Sequence, residues 1–256
     1  MKLINQSNTA SRNLSLRAAA LAICTLSAGA VQAQASAQAA QKQAEDFWYL
    51  QGSLGNLKSS HSALGVKLSD TVQVSGNSFF DRGRTGSIVL GRQLIQEEQW
   101  TQDLPGRWEL EAWYGSAKRS SVSIGALSAK PGDTVKARAL MFNFMGRIAE
   151  SDEKGQNRLP LWRTWFGGGV GWGTVEYPSL TLSNCNCLRA AESDGDMVVQ
   201  AKLAVERYVA QDTAVFVQAA RIWFPGASYG SGPYPRTQYG DWGLTTYSVG
   251  VRVGFR

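Results

Sequence analysis

Long apolar runs are scarce in this sequence of 256 residues. A helix needs about 20 consecutive apolar residues to cross a bilayer, and nothing after residue 46 approaches that length. The main body of the chain is therefore predicted to have no transmembrane helix. A membrane role would have to rely on β-strands.

Cysteine and histidine are also rare, with three and one residues respectively. No group of His, Cys and carboxylate residues has the spacing of a metal site. The glycines at 167–169 are not followed by the Lys-Ser/Thr of a phosphate-binding loop. We therefore predict no metal, no cofactor and no catalytic residue. Cys185 and Cys187 form a C-x-C pair without a nearby histidine, which favours a small loop disulfide.

Acidic residues are absent before Glu45, whereas Lys2, Arg12 and Arg17 are basic. An apolar stretch from Ala18 to Val31 follows these cations, and small residues come next. This order is typical of a secretory signal peptide. We predict a signal peptide at 1–33, a flexible Ala/Gln-rich lead-in at 34–46 and one domain at 47–256, with cleavage after Ala33, Ala35 or Ala37.

Basic charge is modest, because the formal net charge is +6 and the signal peptide contributes three of the cations. The mature chain would carry +3 (6 − 3). A dedicated nucleic-acid-binding protein would show a concentrated basic face, so we predict no nucleic-acid partner.

Alternation of apolar and polar residues dominates from Phe47 onward. The alternation predicts eight strands, at about 47–57, 84–95, 107–115, 134–147, 161–174, 197–207, 213–223 and 245–255. Long connectors at 58–83, 119–133, 178–195 and 224–243 alternate with shorter ones, as in transmembrane barrels. The predicted fold is all-β, an eight-stranded antiparallel up-and-down transmembrane barrel with both termini on the periplasmic side. A barrel of this size has an interior filled by side chains, which argues against a general porin.

The two faces of these strands carry different residues. The polar faces hold three acids and three bases that could pair inside a lumen, namely Glu109, Glu111, Arg163, Lys202, Glu206 and Arg252. Aromatic residues fall near strand ends, where a membrane interface would favour them, at Trp48, Trp108, Trp162, Trp172, Trp223, Tyr247 and Phe255. A soluble periplasmic barrel that binds an apolar ligand is the alternative, and it would turn the apolar faces inward.

The C-terminal pattern Tyr247-x-Val249-x-Val251-x-Val253-x-Phe255, with the signal peptide and the eight strands, resembles small outer-membrane barrels of the OmpA-transmembrane and opacity-protein type. The resemblance covers 47–256. It implies location in the outer membrane of a Gram-negative bacterium and recognition of the last strand by the barrel-assembly machinery. Arg256 follows Phe255, whereas the family's last strand ends in an aromatic residue.

Two classes of function are consistent with these residues. The first is a structural or surface-interaction role. The segment 225–243 is rich in Tyr, Ser, Gly and Pro and is a candidate binding loop. Cations near the second long connector could meet lipopolysaccharide phosphates at the outer rim, namely Lys118, Arg119, Lys130, Lys136 and Arg138. The second is a lipid A-modifying hydrolase that would use His61 with Ser60 or Ser62.

Overall fold

The structure is a computed structural model, and it describes residues 47–67, 69, 71–94, 106–125, 127–152, 160–178, 180–182, 185–188, 191–192, 195–210, 212–229 and 236–255. The predicted signal peptide and lead-in lie outside the described residues. Among the residues described, no helix is long and apolar enough to cross a membrane.

Eight long antiparallel strands form the body of the molecule. They are β1 Phe47–Ser59, β2 Gly83–Gln93, β3 Gly106–Ile124, β4 Thr134–Glu150, β5 Trp162–Tyr177, β6 Asp196–Ala210, β7 Thr213–Phe224 and β8 Trp242–Phe255. Each strand pairs with its successor in the chain, and β8 pairs with β1. The sheet is therefore closed, and the predicted eight-stranded barrel is confirmed.

The strand register fixes the tilt of the barrel. Following paired residues from Trp48 through β2 to β7 leads to Thr245 on β8, whereas the direct partner of Trp48 on β8 is Phe255. The offset is ten residues (255 − 245). Ten steps of about 3.4 Å across eight strands about 4.8 Å apart give a tilt of about 40°, which is typical of transmembrane barrels.

The four long connectors all leave one end of the barrel, which we call the loop end. Phe47, Phe255 and the shorter connectors lie at the opposite end, the turn end. The connectors at the loop end contain strands that the sequence analysis treated as loops. Ala227–Tyr229, Arg236–Tyr239, Ser62–Lys67, Gln73–Phe80, the last residues of β3 and Leu127–Ala129 pair in that order. We call this second sheet the loop sheet.

Strand β3 departs most from its predicted length, since it runs to Ile124 rather than 115. Its last residues pair with Gln73–Phe80 on one side and with Leu127–Ala129 on the other. Gly125 makes the turn between them at φ 58°, in the left-handed region that glycine adopts without strain. The second long connector is therefore mostly a continuation of the barrel wall.

Candidate functional site

The turn-end half of the lumen contains a network of buried ion pairs. Lys202 Nζ lies 2.8 Å from Glu109 Oε2 and 2.8 Å from Glu111 Oε2. Arg107 joins Glu109 to Glu206, with Nε 2.9 Å from Glu109 Oε1 and Nη1 in contact with Glu206. Arg252 Nη2 lies 3.1 Å from Glu206 Oε2, so three cations face three carboxylates. We call these six residues the lumen network.

Arg163, the sixth charged residue on the predicted polar faces, lies beside the lumen network rather than within it. Its Nη1 donates to the Tyr208 hydroxyl at 2.9 Å, and Arg252 donates to the same hydroxyl. Its Nε lies 3.4 Å from Glu150. The structure thus brings Glu109, Glu111, Lys202, Glu206 and Arg252 directly together and attaches Arg163 through a tyrosine.

Several members of the site were missed by the sequence reasoning. Arg107 lies on the same face of β3 as Glu109 and Glu111, two residues before Glu109. This alternation could have indicated that Arg107 belongs to the lumen network. Two uncharged side chains, Asn143 and Trp165, also take part. Asn143 Nδ2 donates to Glu111 Oε2 at 2.9 Å, and Trp165 Nε1 donates to Glu206 Oε2 at 2.9 Å. Both contacts join diagonal neighbours on paired strands, so they depend on the strand register, which a single strand does not reveal.

Aromatic rings hold the arginine side chains of the lumen network in place. The Arg107 guanidinium lies 4.5 Å from the centre of the Trp165 ring and 5.6 Å from that of Tyr49. The Arg252 guanidinium lies 5.1 Å from the Tyr49 ring. The Tyr49 hydroxyl donates to Glu109 at 2.9 Å. Because paired charges and aromatic rings fill this half of the lumen, the network closes the barrel rather than lining an open channel.

Inward glycines on β5 make room for the side chains opposite. A Cβ at Gly169 would lie 2.1 Å from Asn143 Oδ1. A Cβ at Gly173 would lie 2.6 Å from Val198 Cγ2 and 2.8 Å from Phe224 Cε1. The run of glycines on β5 therefore serves packing inside the lumen, in agreement with the absence of a phosphate-loop motif.

The loop-end half of the lumen is apolar. Tyr177 stacks on Tyr239 with ring centroids 3.8 Å apart, and Trp242 packs against Phe224 and Phe80 at 6.2 and 5.1 Å. These aromatic side chains join the buried aliphatic residues of the barrel wall and the loop sheet into one core. We call this core the apolar cap, because it seals the loop end.

Arg119 corrects one expectation. Its place beside the second long connector predicts the outer rim, but its side chain is fully buried beneath the loop sheet. It pairs with Asp133, donates to Pro178 O at 3.0 Å, and lies 3.3 Å from the Tyr239 hydroxyl. The strand continues beyond its predicted end and keeps odd-numbered residues inward as far as Arg119, which explains the difference. Burial raises the pKa of Tyr239 above its ordinary value.

The residues of the hydrolase hypothesis do not form a nucleophile and base pair. The Ser60 hydroxyl donates to Gly243 O at 3.0 Å, and the Ser62 hydroxyl is buried and donates to Gly240 O at 3.1 Å. His61 is exposed, and its ring lies 6.1 Å from that of Phe79. Both serines therefore fix the loop to the start of β8.

The outer face of the barrel is a continuous apolar belt. Leu54, Ile88 and Val249 are 75%, 64% and 62% exposed, far more than a soluble surface favours for such residues. On β8 the outward residues from Phe255 to Tyr247 are all apolar, which corresponds to a height of roughly 21 Å at the tilt above. A soluble barrel would bury these side chains, so that alternative is wrong.

Aromatic residues flank the belt at both ends. Trp48 and Trp108 meet edge to face at the turn end, with ring centroids 5.0 Å apart. The others that the sequence analysis selected also point outward, with Trp162 and Phe255 at the turn end and Trp172, Trp223 and Tyr247 in the loop-end halves of their strands. Two such girdles at the boundaries of an apolar band are typical of transmembrane barrels.

The molecule is a closed barrel with an outward apolar belt and a lumen filled by side chains. The structure is similar to the outer membrane protein OprG from Pseudomonas aeruginosa, with a TM-score of 0.55 and 12% identity over 82% of this chain and 96% of that chain. The fold is that of a small outer-membrane β-barrel. Neisserial surface protein A and the attachment invasion locus protein Ail of Yersinia pestis are also similar, with TM-scores of 0.43 and 0.36, both at 10% identity over 81% of this chain and 97% and 99% of theirs. No family model and no curated protein matches the sequence.

Two predictions about this outer-membrane barrel are not tested by the described side chains. Cys185 and Cys187 both lie in the short strand Cys185–Leu188, which pairs with Leu180–Leu182, but their side chains lie outside the description. The candidate binding segment 225–243 is described only in part, and its strands belong to the loop sheet. No group of His, Cys, Asp and Glu among the described residues could hold a metal ion.

Proposed function

We propose that the protein is an exported structural barrel of a Gram-negative outer membrane that presents the loop sheet at the cell surface for interaction with other molecules. The apolar cap is the observation that carries this proposal. It joins residues of the barrel wall to residues of the loop sheet in one buried core, so the described parts of these connectors form a built surface rather than loose loops.

The filled lumen supports the same role. A solute that crosses the barrel would have to displace the lumen network and then the apolar cap, and both are buried. Breaking a buried ion pair costs about 3–5 kcal/mol, so free diffusion through this barrel is not expected. The surface that remains available is the outer face of the loop sheet.

Orientation in the membrane is part of the proposal and is tested by site-specific labelling of whole cells. Ser75 is exposed on the loop sheet, and Asp212 is exposed at the turn end. Single-cysteine variants Ser75→Cys and Asp212→Cys are made in a background with Cys185→Ser and Cys187→Ser. A membrane-impermeant maleimide should label Ser75→Cys on intact cells and Asp212→Cys only after the outer membrane is permeabilised. The reverse pattern would overturn the orientation, and release of the protein without detergent would overturn the membrane assignment.

A further inference from the structure

Four cations cluster on the outer face of adjacent strands at the loop-end edge of the apolar belt. Arg84 on β2 is the register partner of Ser116 on β3, and Ser116 is the partner of Lys136 on β4. Lys118 and Arg138 lie two residues from this row and therefore on the same face. The backbones of Arg84 and Lys136 are about 9.6 Å apart, which corresponds to two strand spacings. We call these four side chains the cationic cluster.

The charge of this cluster is not neutralised within the barrel. Arg84, Lys118 and Arg138 are exposed and Lys136 is half-buried, and none of the four makes an ion pair with another described residue. Glu176 on β5 is the register partner of Lys136 and is the acid nearest along the sheet. The same edge of the belt carries Glu176 on β5. Two further outward cations at this end are Lys58 on β1 and Arg221 on β7, and Arg221 donates to Thr245. Outward positive charge is therefore concentrated on β2 to β4, although it is not confined to these strands.

Exposed apolar side chains lie directly below the cationic cluster. Tyr114 is the register partner of Arg138 and is 42% exposed. Leu140 and Phe142 follow on β4 at 55% and 54% exposure, and Ile88 on β2 is 64% exposed. The surface therefore joins a cationic patch to an apolar wall without a break. A molecule that matches both parts has an anionic headgroup and acyl chains.

We infer that strands β2 to β4 form a binding site for a phosphorylated, multiply acylated lipid of the leaflet at the loop end, a lipid of the lipid A class. Arg84, Lys136 and Arg138 bind the phosphate oxygens, since guanidinium and ammonium groups donate charge-assisted hydrogen bonds to phosphate. Lys118 faces the sugar side of the headgroup, and the acyl chains lie along Tyr114, Leu140 and Phe142. This inference rests on the proposed function, which places the loop end in the outer leaflet, and it adds a defined site and ligand chemistry.

Binding is tested with the purified, folded barrel in zwitterionic detergent, by native mass spectrometry with diphosphorylated lipid A as the probe. The variant Arg84→Gln/Arg138→Gln removes two charges from the cluster. The matched control Arg92→Gln/Arg207→Gln removes two outward arginines from the turn end. Each basic residue near an anionic lipid strengthens binding about fivefold, so the cluster variant should lose about 30-fold in affinity and the control less than about twofold. Arg84→Lys/Arg138→Lys should keep most of the affinity, because the charge is conserved.

Other outcomes overturn the inference in recognisable ways. Equal losses in the cluster variant and the turn-end control would mean that lipid A meets the barrel without a defined site. Unchanged binding of monophosphorylated lipid A and of a neutral phospholipid would show that phosphate is not recognised. Equally tight binding of a sulfated oligosaccharide, which has no acyl chains, would assign the cluster to a soluble polyanion. Detergent micelles have no inside or outside, so failure here leaves the orientation measured by cysteine labelling unaffected.

Discussion

Replacing Lys202 by methionine is expected to destabilise the barrel more than any surface substitution. Lys202 Nζ contacts both Glu109 and Glu111 at 2.8 Å, and all three side chains are fully buried. Methionine keeps the apolar stem but removes the ammonium group. Two carboxylates would then remain inside the lumen with Arg107, Tyr49 and Asn143 as their described partners.

The expected cost follows from breaking a buried pair from one side. Removing one partner of a buried ion pair costs about 3–5 kcal/mol, because the remaining charge stays away from water. Glu109 keeps its contact with Arg107, so we expect the lower part of this range, about 3 kcal/mol. Adding Glu111→Gln to Lys202→Met should recover about 1–2 kcal/mol of the free energy of unfolding. The amide of the new glutamine carries no charge, and its oxygen can still accept the hydrogen bond from Asn143.

Urea unfolding of the barrel in lipid bilayers, followed by the heat-dependent shift on an SDS gel, measures this free energy. The control is Lys58→Met, which removes an exposed ammonium group of the same size on the outer face of β1. This control should change stability by less than about 0.5 kcal/mol.

The result that would refute the reasoning is a Lys202→Met barrel that unfolds within about 1 kcal/mol of the parent protein, with no gain from Glu111→Gln. Such a result would mean that water screens the lumen network. The lumen would then be a hydrated passage, and the argument against diffusion through the barrel would fail with it.

Three further predictions concern the cap and the packing of the lumen. Arg119→Met should speed cleavage of the loop sheet by added protease while the heat shift of the barrel is kept, because Arg119 joins Asp133, Pro178 and Tyr239. Burial raises the pKa of Tyr239 above 10.0, so the cap should be fully stable below that pH and loosen as pH rises through the raised pKa, with a change in tryptophan fluorescence that Tyr239→Phe abolishes. Gly169→Val should leave little folded barrel on the heat-shift gel, because even its Cβ would lie 2.1 Å from a buried side-chain oxygen.

The strands of this barrel could be predicted from the sequence because membrane barrels impose period two on each strand. On β8, Tyr247, Val249 and Val251 point to lipid while Ser248 and Arg252 are buried in the lumen. Alternation on a single strand is a local property and needs no knowledge of neighbours. The same property assigned the charged residues of β3 and β6 to one face.

The loop sheet and the apolar cap could not be predicted in the same way. Each loop-sheet strand is short, and Arg236–Tyr239 pairs with Ser62–Lys67 from the other end of the chain. Buried Leu64 and Tyr239 meet only after that pairing forms. Their burial depends on tertiary contacts, and a short segment rich in Ser and Gly carries little period-two signal of its own.

The irregular alternation on β4 has a physical origin that bears on function. In the loop-end half of this strand Ala139 and Met141 are buried in the lumen, while Leu140 and Phe142 are exposed on the belt, so both faces are apolar. A strand has two apolar faces wherever the apolar cap fills the lumen at the height of the belt. Strand β3 also has two apolar faces at this height, where Trp113 is buried in the cap and Tyr114 is exposed on the belt. Toward the turn end, β3 returns to charged inward residues at Glu111 and Glu109. A barrel built to conduct polar solutes would keep polar residues inward along the whole strand. Here the apolar stretch closes the lumen beneath the loop sheet, so the described side chains leave no continuous polar path through the barrel.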